Sequence, residues 1–197
     1  MRILKMYPTS INMQYVDMLV KALKDGDVIV IPTDTRYAFA CDALNNRAIE
    51  RVCRLKDIDP KKHPLSMVCA DLSQASEYVR IDNRAFAEVR GNLPGRYTYI
   101  LPVTPRLPKA FKGRHEVGLR IPDNDITREL ARQLGNPLMT TTVTWPGADD
   151  DDTLSPDSIA LAVGHEVDYV VDAGESDGSL STVIDMTDSS NPLIVRQ

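Results

Sequence analysis

The sequence predicts an α/β domain in which helices pack on a mixed sheet, with the irregular element order of an α+β protein. The segment Val28–Ile31 consists of four apolar, mostly β-branched residues, as in a strand covered on both faces. Helical and strand patterns intermix along the chain, and two helical patterns follow one another near its middle, which argues against a regular βαβ winding. Because no repeat or low-complexity linker divides the chain, we expect one domain over residues 1–197.

Six helices are predicted from apolar residues at helical spacing that follow a capping residue. The first begins after Ser10 and ends at Gly26, because glycine favours the left-handed conformation that closes a helix. The second is capped by Asn45 or Asn46, and its apolar face carries it to Lys56. The others are expected at residues 71–78, 82–89, 123–134 and 155–163, with Asp123 or Asp125 as the cap of the fifth.

The strands are predicted from runs of β-branched, aromatic and other apolar residues. Pro32 and Pro122 each stop such a run, since proline cannot donate a hydrogen bond to a neighbouring strand. Besides Val28–Ile31, the predicted strands are residues 65–69, 97–101, 117–121, 138–144, 167–171, 181–186 and 193–195.

Charge and composition limit the class of partner. The net charge of −5 argues against a protein that coats nucleic acid indiscriminately. Residues 36–120 nevertheless hold 16 Lys and Arg against 9 Asp and Glu, which permits a local anion site, whereas residues 121–197 hold 3 against 15. The three cysteines lack C-x-x-C spacing, and the sequence shows neither a signal peptide nor a membrane span. We therefore expect a cytoplasmic protein with no membrane partner.

The polar segment after the buried strand is the first candidate for a site. Thr33, Asp34, Thr35 and Arg36 place two hydroxyls, a carboxylate and a guanidinium within four residues. In open α/β sheets, ligands bind outside the carboxyl ends of core strands. We therefore expect this turn to border the functional site.

Basic and hydroxyl side chains form the other candidates. Lys56 precedes a basic turn with Lys61, Lys62 and His63, which suits a polyphosphate or is a solvated basic surface. Arg120 ends an apolar strand and is either a rim residue or a clamp for a carboxylate. The remaining hydroxyls either face a ligand or reflect strand propensity and local turns: Thr140, Thr141, Thr142, Thr144, Ser181 and Thr182.

The sequence gives little support for a protein-held metal or a covalent nucleophile. The three histidines are scattered, and none stands at i, i+4 from another ligand. The acidic run at residues 149–152 is more typical of a solvated loop than of a magnesium site. Walker A, G-x-G-x-x-G and G-x-S-x-G motifs are absent, so the common phosphate loops and the nucleophile elbow are not predicted.

Taken in order, the motifs resemble those of the YrdC/YciO family, whose YrdC-like members are threonylcarbamoyl-AMP synthases. The segment P-T-D-T-R-Y at residues 32–37 is similar to the P-T-D-T-x-Y signature of that family, and Leu55-Lys56 through H-P-L-S at 63–66 resembles its lysine turn. The later matches are P-G-x-x-T at 94–98, V-x-x-R-x-P at 117–122, D-x-G at 172–174, S-T-V-x-D at 181–185 and the closing arginine at 196.

This resemblance implies a twisted, open mixed sheet with a concave, positively charged surface of the YrdC/RibB type. It implies that L-threonine, bicarbonate and ATP, accompanied by Mg²⁺, form threonylcarbamoyl-AMP and pyrophosphate for tRNA modification at adenosine 37. The residues implied for threonine and its carbamate are Thr33, Thr35, His63, Arg120, Thr140 and Ser181. Those implied for ATP are Lys56, Thr142, Thr144 and Arg196, with Lys56 and Thr142 as the candidate catalytic residues.

Three departures from the family pattern indicate the YciO-type branch. The K-x-R of the active members is K-D-I at residues 56–58, their S-x-N is T-V-T at 142–144, and R-Y-A-F at 36–39 replaces V-Y-G-L. Loss of a guanidinium from a triphosphate site can lower a rate roughly 10²-fold or more. The resemblance therefore implies a weak or diverged synthase.

Two other functions stay open at the level of sequence. The same basic face could bind tRNA or double-stranded RNA without turnover, as an RNA-binding or ribosome-associated protein. The pocket could also bind another small anion, since a fold does not fix a function.

Overall fold

The computed structural model describes residues 1–59, 65–106 and 113–197, and within them a ten-stranded mixed sheet carries helices on both faces. This confirms the predicted fold class. The basic turn at residues 60–64, which includes Lys61, Lys62 and His63, lies outside the described residues.

Five of the six α-helices in the described residues begin at a side-chain cap, and the sixth begins after Ser155 without a hydrogen bond from that side chain. In α1 (Met13–Asp25), the Asn12 side chain accepts hydrogen bonds from the backbone N–H of Gln14 and Tyr15, and Gly26 ends the helix at a φ of 96°. None of the helices in the described part of the chain combines the length and apolar character that crossing a bilayer requires. The others are α2 (Asn46–Leu55), α3 (Leu72–Ser76), α4 (Asn83–Asn92), α5 (Asp125–Leu134) and α6 (Pro156–Val163).

The sheet mixes parallel and antiparallel neighbours. Its strands are β1 (Arg2–Lys5), β2 (Ile29–Ile31), β3 (Ala38–Asp42), β4 (Ser66–Val68), β5 (Tyr97–Pro102), β6 (Glu116–Arg120), β7 (Leu138–Thr142), β8 (Tyr169–Asp172), β9 (Thr182–Asp185) and β10 (Leu193–Arg196). Their order in the sheet is β1-β8-β2-β3-β7-β4-β6-β5-β9-β10. The pairs β1/β8, β8/β2, β4/β6 and β5/β9 are parallel, and the remaining neighbours are antiparallel.

The core is divided between the two faces of the sheet, and β2 contributes to both. Val30 packs in a cluster that includes residues of α2, α4 and α6, whereas Ile29 and Ile31 pack on the opposite face against α1 and α5. The alternation of side chains along a strand explains this division, because successive residues point to opposite faces. The segment predicted to be buried on both faces is therefore buried on both.

The helices α1 and α5 cover only part of their face of the sheet. The apolar cluster beneath them draws on β1, β8, β2, β3, β7 and β4, and within the described residues it contains none from β6, β5, β9 or β10. The concave region beside this cluster is therefore free to hold a ligand.

Several sequence expectations need correction. The strands β1 and β3 were not predicted, because β1 is only four residues long and β3 contains two alanines and an aspartate, which are depleted in strands. Asn12 rather than Ser10 caps α1, and Asn124 rather than Asp123 or Asp125 caps α5 through Thr127 N–H. The strand predicted at 138–144 ends at residue 142.

Candidate functional site

The uncovered part of the sheet forms a cavity of about 550 Å³. Its floor is a cross-strand row in which Thr140 of β7 pairs with Ser66 of β4, Ser66 with Gly118 of β6, and Gly118 with Ile100 of β5. All four residues line the cavity. Because three of them are small, the floor stays low and leaves room for a ligand above the sheet.

Gly118 keeps the middle of this floor open. A Cβ atom added there would lie 3.1 Å from both Ser66 Oγ and Thr98 Cγ2, which is closer than ordinary van der Waals contact. The sequence carried a signal for this, since an isolated glycine inside a strand often marks close approach of another group.

The lining combines positive charge with apolar walls. Among the described lining residues, the charged ones are four arginines and one glutamate: Arg36, Arg114, Arg120, Arg196 and Glu116. Apolar contact surface comes from Leu65, Val117, Val183 and Val195. A concave, partly apolar pocket with a few convergent charged groups suits a small ligand with anionic ends.

Arg120 is a buried cation at the end of β6. One Nη donates to Asp34 Oδ1 at 2.7 Å and to Thr35 Oγ1 at 3.2 Å, while the buried Nε finds no acceptor among the described residues. Burial lowers the pKa of Arg120 against the raising effect of Asp34, and Arg196 lowers it further. A buried donor without an acceptor is costly, so an anionic oxygen bound here would supply what the protein does not.

Asp34 positions this guanidinium. Its side chain is 5% exposed and accepts both the Arg120 Nη and, at 2.9 Å, the backbone N–H of Asp123. Sequence reasoning placed Asp34 in the expected turn but did not include it among the site residues. Its pairing with a residue 86 positions away depends on the arrangement of the strands.

The two threonines of the turn have different roles. Thr33 Oγ1 donates to the Arg36 carbonyl at 2.7 Å and accepts the Thr35 N–H at 3.0 Å, so its hydroxyl shapes the turn. Thr35 reaches the site through its bond to Arg120, and neither threonine is among the described lining residues.

Tyr37 anchors the same turn to the loop after β8. Its hydroxyl donates to the Gly174 carbonyl at 2.6 Å and accepts the Ala173 N–H at 3.1 Å. Burial raises the pKa of Tyr37 to about 12, so the phenol stays protonated and the bond is kept throughout the physiological range.

Hydroxyls and a guanidinium meet at one end of the cavity. Arg196 Nη donates to the Ser181 carbonyl at 2.9 Å and to Ser181 Oγ at 3.0 Å, and Ser181 Oγ lies 2.8 Å from Thr98 Oγ1. Thr140 also lines the cavity, where its hydroxyl makes a long 3.4 Å bond to the Ser66 carbonyl. This end therefore offers several donors to a small polar ligand.

Lys56 marks a second cationic region at the end of β7. Its Nζ donates to the Thr142 carbonyl at 2.8 Å and to Thr144 Oγ1 at 3.1 Å, and Thr142 lines the cavity. Burial lowers the pKa of Lys56, since the charged ammonium loses hydration. Both acceptors are neutral, so an anion would be a stronger partner for this ammonium.

The structure brings most of the sequence-predicted residues to one place. Arg120, Thr140, Thr142, Ser181 and Arg196 line the cavity, and Thr35, Lys56 and Thr144 contact it through these or neighbouring residues. Thr33 lies in the adjoining turn, and His63 is outside the described residues. In the described ranges, no group of three or more histidine, cysteine or acidic side chains is placed to hold a metal ion.

A sequence model of the family described as "Telomere recombination", whose name combines Sua5, YciO and YrdC, matches residues 21–197. The chain belongs to the Sua5/YciO/YrdC family. The family predicted from the order of the motifs is therefore confirmed, and the likeness to YciO of Escherichia coli over 97% of this chain supports the predicted YciO-type branch.

Members of the Sua5/YciO/YrdC family are similar to this chain in sequence and structure over most of its length. YciO of Escherichia coli K12 is 34% identical over 193 residues, which is 97% of this chain and 92% of that protein. The crystal structure of E. coli YciO covers 100% of this chain and 95% of its own, at 32% identity and a TM-score of 0.91. Threonylcarbamoyl-AMP synthase of Chromobacterium violaceum is 34% identical over 129 residues, 64% of this chain and 66% of that protein.

A more distant Sua5/YciO/YrdC structure shows the shared fold. P. abyssi Sua5 complexed with L-threonine superposes with a TM-score of 0.89 at 23% identity, covering 100% of this chain and 57% of that one. At this identity the likeness concerns the fold alone.

Proposed function

We propose that the chain is a weak or diverged threonylcarbamoyl-AMP synthase, which joins L-threonine, bicarbonate and ATP and releases pyrophosphate. The observation that carries this proposal is one cavity with donors to an amino acid around Arg120 and Ser181 and a cationic region at Lys56 and Thr142. A relative named threonylcarbamoyl-AMP synthase, 34% identical over 129 residues, supports it. The product would serve tRNA modification at adenosine 37 in the cytoplasm.

The amino acid would bind at the arginine-rich end. The Nε of Arg120 would donate to the threonine carboxylate, which supplies the acceptor that this buried atom lacks among the described residues. The hydroxyls of Thr140 and Ser181 would bind the threonine side chain and its carbamate, with Thr35 holding Arg120 in place. Thr33 and His63 remain proposed contributors to the same end.

The nucleotide would bind at the Lys56 end. The Lys56 ammonium would exchange its neutral acceptors for phosphate oxygens, and Thr142 and Thr144 would donate further hydrogen bonds. Arg196, which lines the cavity beside Ser181, would reach the nucleotide from the amino-acid end. Glu116 is the one carboxylate among the described lining residues, so Mg²⁺ would arrive on the phosphates of ATP rather than in a protein-held site. When bound, the ion would share the charge of those phosphates.

In the proposed reaction, the protein would mainly position the reactants. Bicarbonate takes up a proton and dehydrates to carbon dioxide and water. The threonine amine attacks the carbon dioxide and releases a proton, which leaves a carbamate. A carbamate oxygen then attacks the α-phosphorus of ATP, and the bond to the bridging oxygen breaks as pyrophosphate leaves with the electron pair. The side chains described here would align the two reactants and neutralise charge that develops on the phosphates.

The proposal predicts pyrophosphate release from ATP that depends on both L-threonine and bicarbonate. Lys56→Met should lower this rate roughly 10²-fold, because an ammonium would be removed from the phosphates. Lys24→Met, on the exposed side of α1, is the matched control and should leave the rate unchanged. If the wild-type protein forms no acyl-adenylate and ATP produces no thermal shift, the synthase proposal is wrong.

Binding of RNA without turnover is a second candidate. It is favoured by the four arginines around the cavity and by the 16 basic against 9 acidic residues of segment 36–120. A protein that fails the synthase assay but binds tRNA or double-stranded RNA with affinity that falls steeply with salt would support this candidate. A flat salt response would exclude it.

A further inference from the structure

Arg36 lies at the Lys56 end of the cavity. It lines the cavity, and its side chain is 13% exposed. In the antiparallel register of β3 and β7, Ala38 pairs with Thr142, and the Val143 N–H donates to the Tyr37 carbonyl at 2.9 Å. Arg36 lies two residues before Ala38, and Thr144, whose hydroxyl accepts from Lys56 Nζ, lies two residues after Thr142.

Arg36 donates to one neutral acceptor, a backbone carbonyl, and to one charged acceptor, a carboxylate. Its Nε donates to the Gly178 carbonyl at 2.8 Å, and one Nη donates to Asp150 Oδ1 at 2.7 Å. The second Nη has no hydrogen-bond partner among the described residues. The Gly178 bond leaves both terminal nitrogens able to meet another group, because the guanidinium has five donors in a fixed fork.

The bond to Asp150 is the one that a ligand can replace. The Asp150 side chain is 83% exposed, so water can take over its hydrogen bonds when it leaves Arg36. Ion pairs with an exposed partner contribute little, whereas a phosphate presents several oxygens and more charge to the same fork. The Arg36 guanidinium holds the pKa of Asp150 below its ordinary value, which agrees with direct pairing of the two.

We propose that Arg36 is a phosphate-binding residue of this cavity and that the Asp150 carboxylate competes with the ligand phosphate for its guanidinium. The inference rests on the proposed function for the identity of the ligand as a nucleoside triphosphate. In the absence of ligand, Asp150 occupies Arg36. In its presence, Arg36 keeps the Gly178 carbonyl and turns its terminal nitrogens to a phosphate, which releases Asp150 to solvent.

Calorimetric titration of ATP into four variants tests the competition. Arg36→Gln should weaken ATP binding roughly tenfold or more, because a charge-assisted hydrogen bond is lost, and Arg36→Lys should fall between it and wild type. Asp150→Asn should tighten binding several-fold. In the Arg36→Gln/Asp150→Asn double variant the gain should disappear, since Asp150 acts through Arg36.

Matched controls separate direct competition from a change in overall charge. Asp151→Asn removes the same charge one position along the acidic run and should change affinity much less than Asp150→Asn. Arg106→Gln and Glu77→Gln disrupt a comparable exposed ion pair whose two residues are not among the described lining residues, and both should leave ATP affinity unchanged. Thermal melts of every variant report whether it is folded.

The outcomes distinguish this inference from the synthase proposal. Equal ATP affinity of Arg36→Gln and wild type overturns the inference, and so does a gain from Asp150→Asn that persists in the double variant. If wild type binds no ATP, the same variants are titrated with inorganic tripolyphosphate. Arg36-dependent binding of tripolyphosphate would then uphold the phosphate site while the nucleotide proposal fails, and absence of binding to both probes overturns both.

Discussion

Lys56 combines a partly buried ammonium with two neutral acceptors, and its protonation should control ligand affinity. Burial lowers the pKa of this lysine from its ordinary 10.5. The folded protein therefore releases the Lys56 proton at a lower pH than the unfolded chain does. Between the pKa of Lys56 in the folded protein and its pKa in the unfolded chain, the unfolded chain binds more protons, so the contribution of Lys56 to stability rises with pH. Over the same range, Lys56 loses the positive charge that it places beside the cavity.

The affinity for ATP should therefore decline as pH rises through the lowered pKa of Lys56. Lys56→Arg should remove most of this decline, because an arginine keeps its charge across the whole range. Calorimetric titrations of ATP into wild type and Lys56→Arg, from about pH 7 to about pH 10, measure the decline in affinity. The same alkaline decline in Lys56→Arg as in wild type would show that another group is responsible.

At the scale of the element, β6 controls the volume of the site through Gly118. A leucine there would fill the space above the cross-strand row, since even its Cβ would lie 3.1 Å from Ser66 Oγ and Thr98 Cγ2. Gly118→Leu should abolish detectable binding of ATP and threonine, whereas Gly118→Ala should keep much of it with a small loss of stability.

The matched control for this change is Gly91→Leu. Gly91 lies on the exposed side of α4, and a Cβ there meets no atom within 4 Å. Its replacement should change neither ligand affinity nor the thermal midpoint by more than a surface substitution does. Unchanged binding in a folded Gly118→Leu variant would place the ligand elsewhere than on this floor.

The elements differ in how far the sequence determined them. The segment Val28–Ile31 and the capped helices were predictable, because apolar periodicity and capping are local properties of the chain. The strand β3 was not, since its five buried residues, Ala-Phe-Ala-Cys-Asp, become a strand through pairing between β2 and β7.

The candidate site shows the same division between local and long-range information. The turn at residues 33–36 was found from its polar residues after a buried strand. The bond from Arg120 to Asp34 spans 86 positions, and that from Arg36 to Asp150 spans 114. Such pairings follow from strand order and register, which one sequence does not specify, so the sequence located Asp34 and Arg36 in the candidate turn but assigned neither of them a role.

At the scale of the whole molecule, charge is arranged by segment as well as by site. The basic excess of residues 36–120 supplies Arg36, Arg114 and Arg120 to the cavity, and the acidic segment 121–197 supplies Asp150 to one of them. The candidate site therefore lies where a basic segment meets an acidic one, and the Asp150 carboxylate offsets part of its positive charge.

The continuity of the sheet predicts that residues 1–197 unfold as one unit. The strand β1 pairs with β8, which is distant in sequence, and the larger core cluster draws residues from position 28 to position 186, so neither half of the chain has a core of its own. Trp145, the single tryptophan, is partly buried against this cluster and reports on its packing. Denaturant unfolding followed by Trp145 fluorescence and by far-ultraviolet circular dichroism should give coincident transitions.

The same unfolding experiment in the presence of ATP tests whether the cavity and the rest of the fold unfold together. At a free ATP concentration of about 100 times its Kd, both transitions should shift together by about 2.7 kcal/mol, because ligand bound only to the native state stabilises everything that unfolds with it. Lys56→Met should unfold in one transition as well but show little of this shift. A fluorescence transition that precedes the dichroism transition, or a shift in one probe alone, would mean that the region around β7 unfolds separately and that the chain contains more than one cooperative unit.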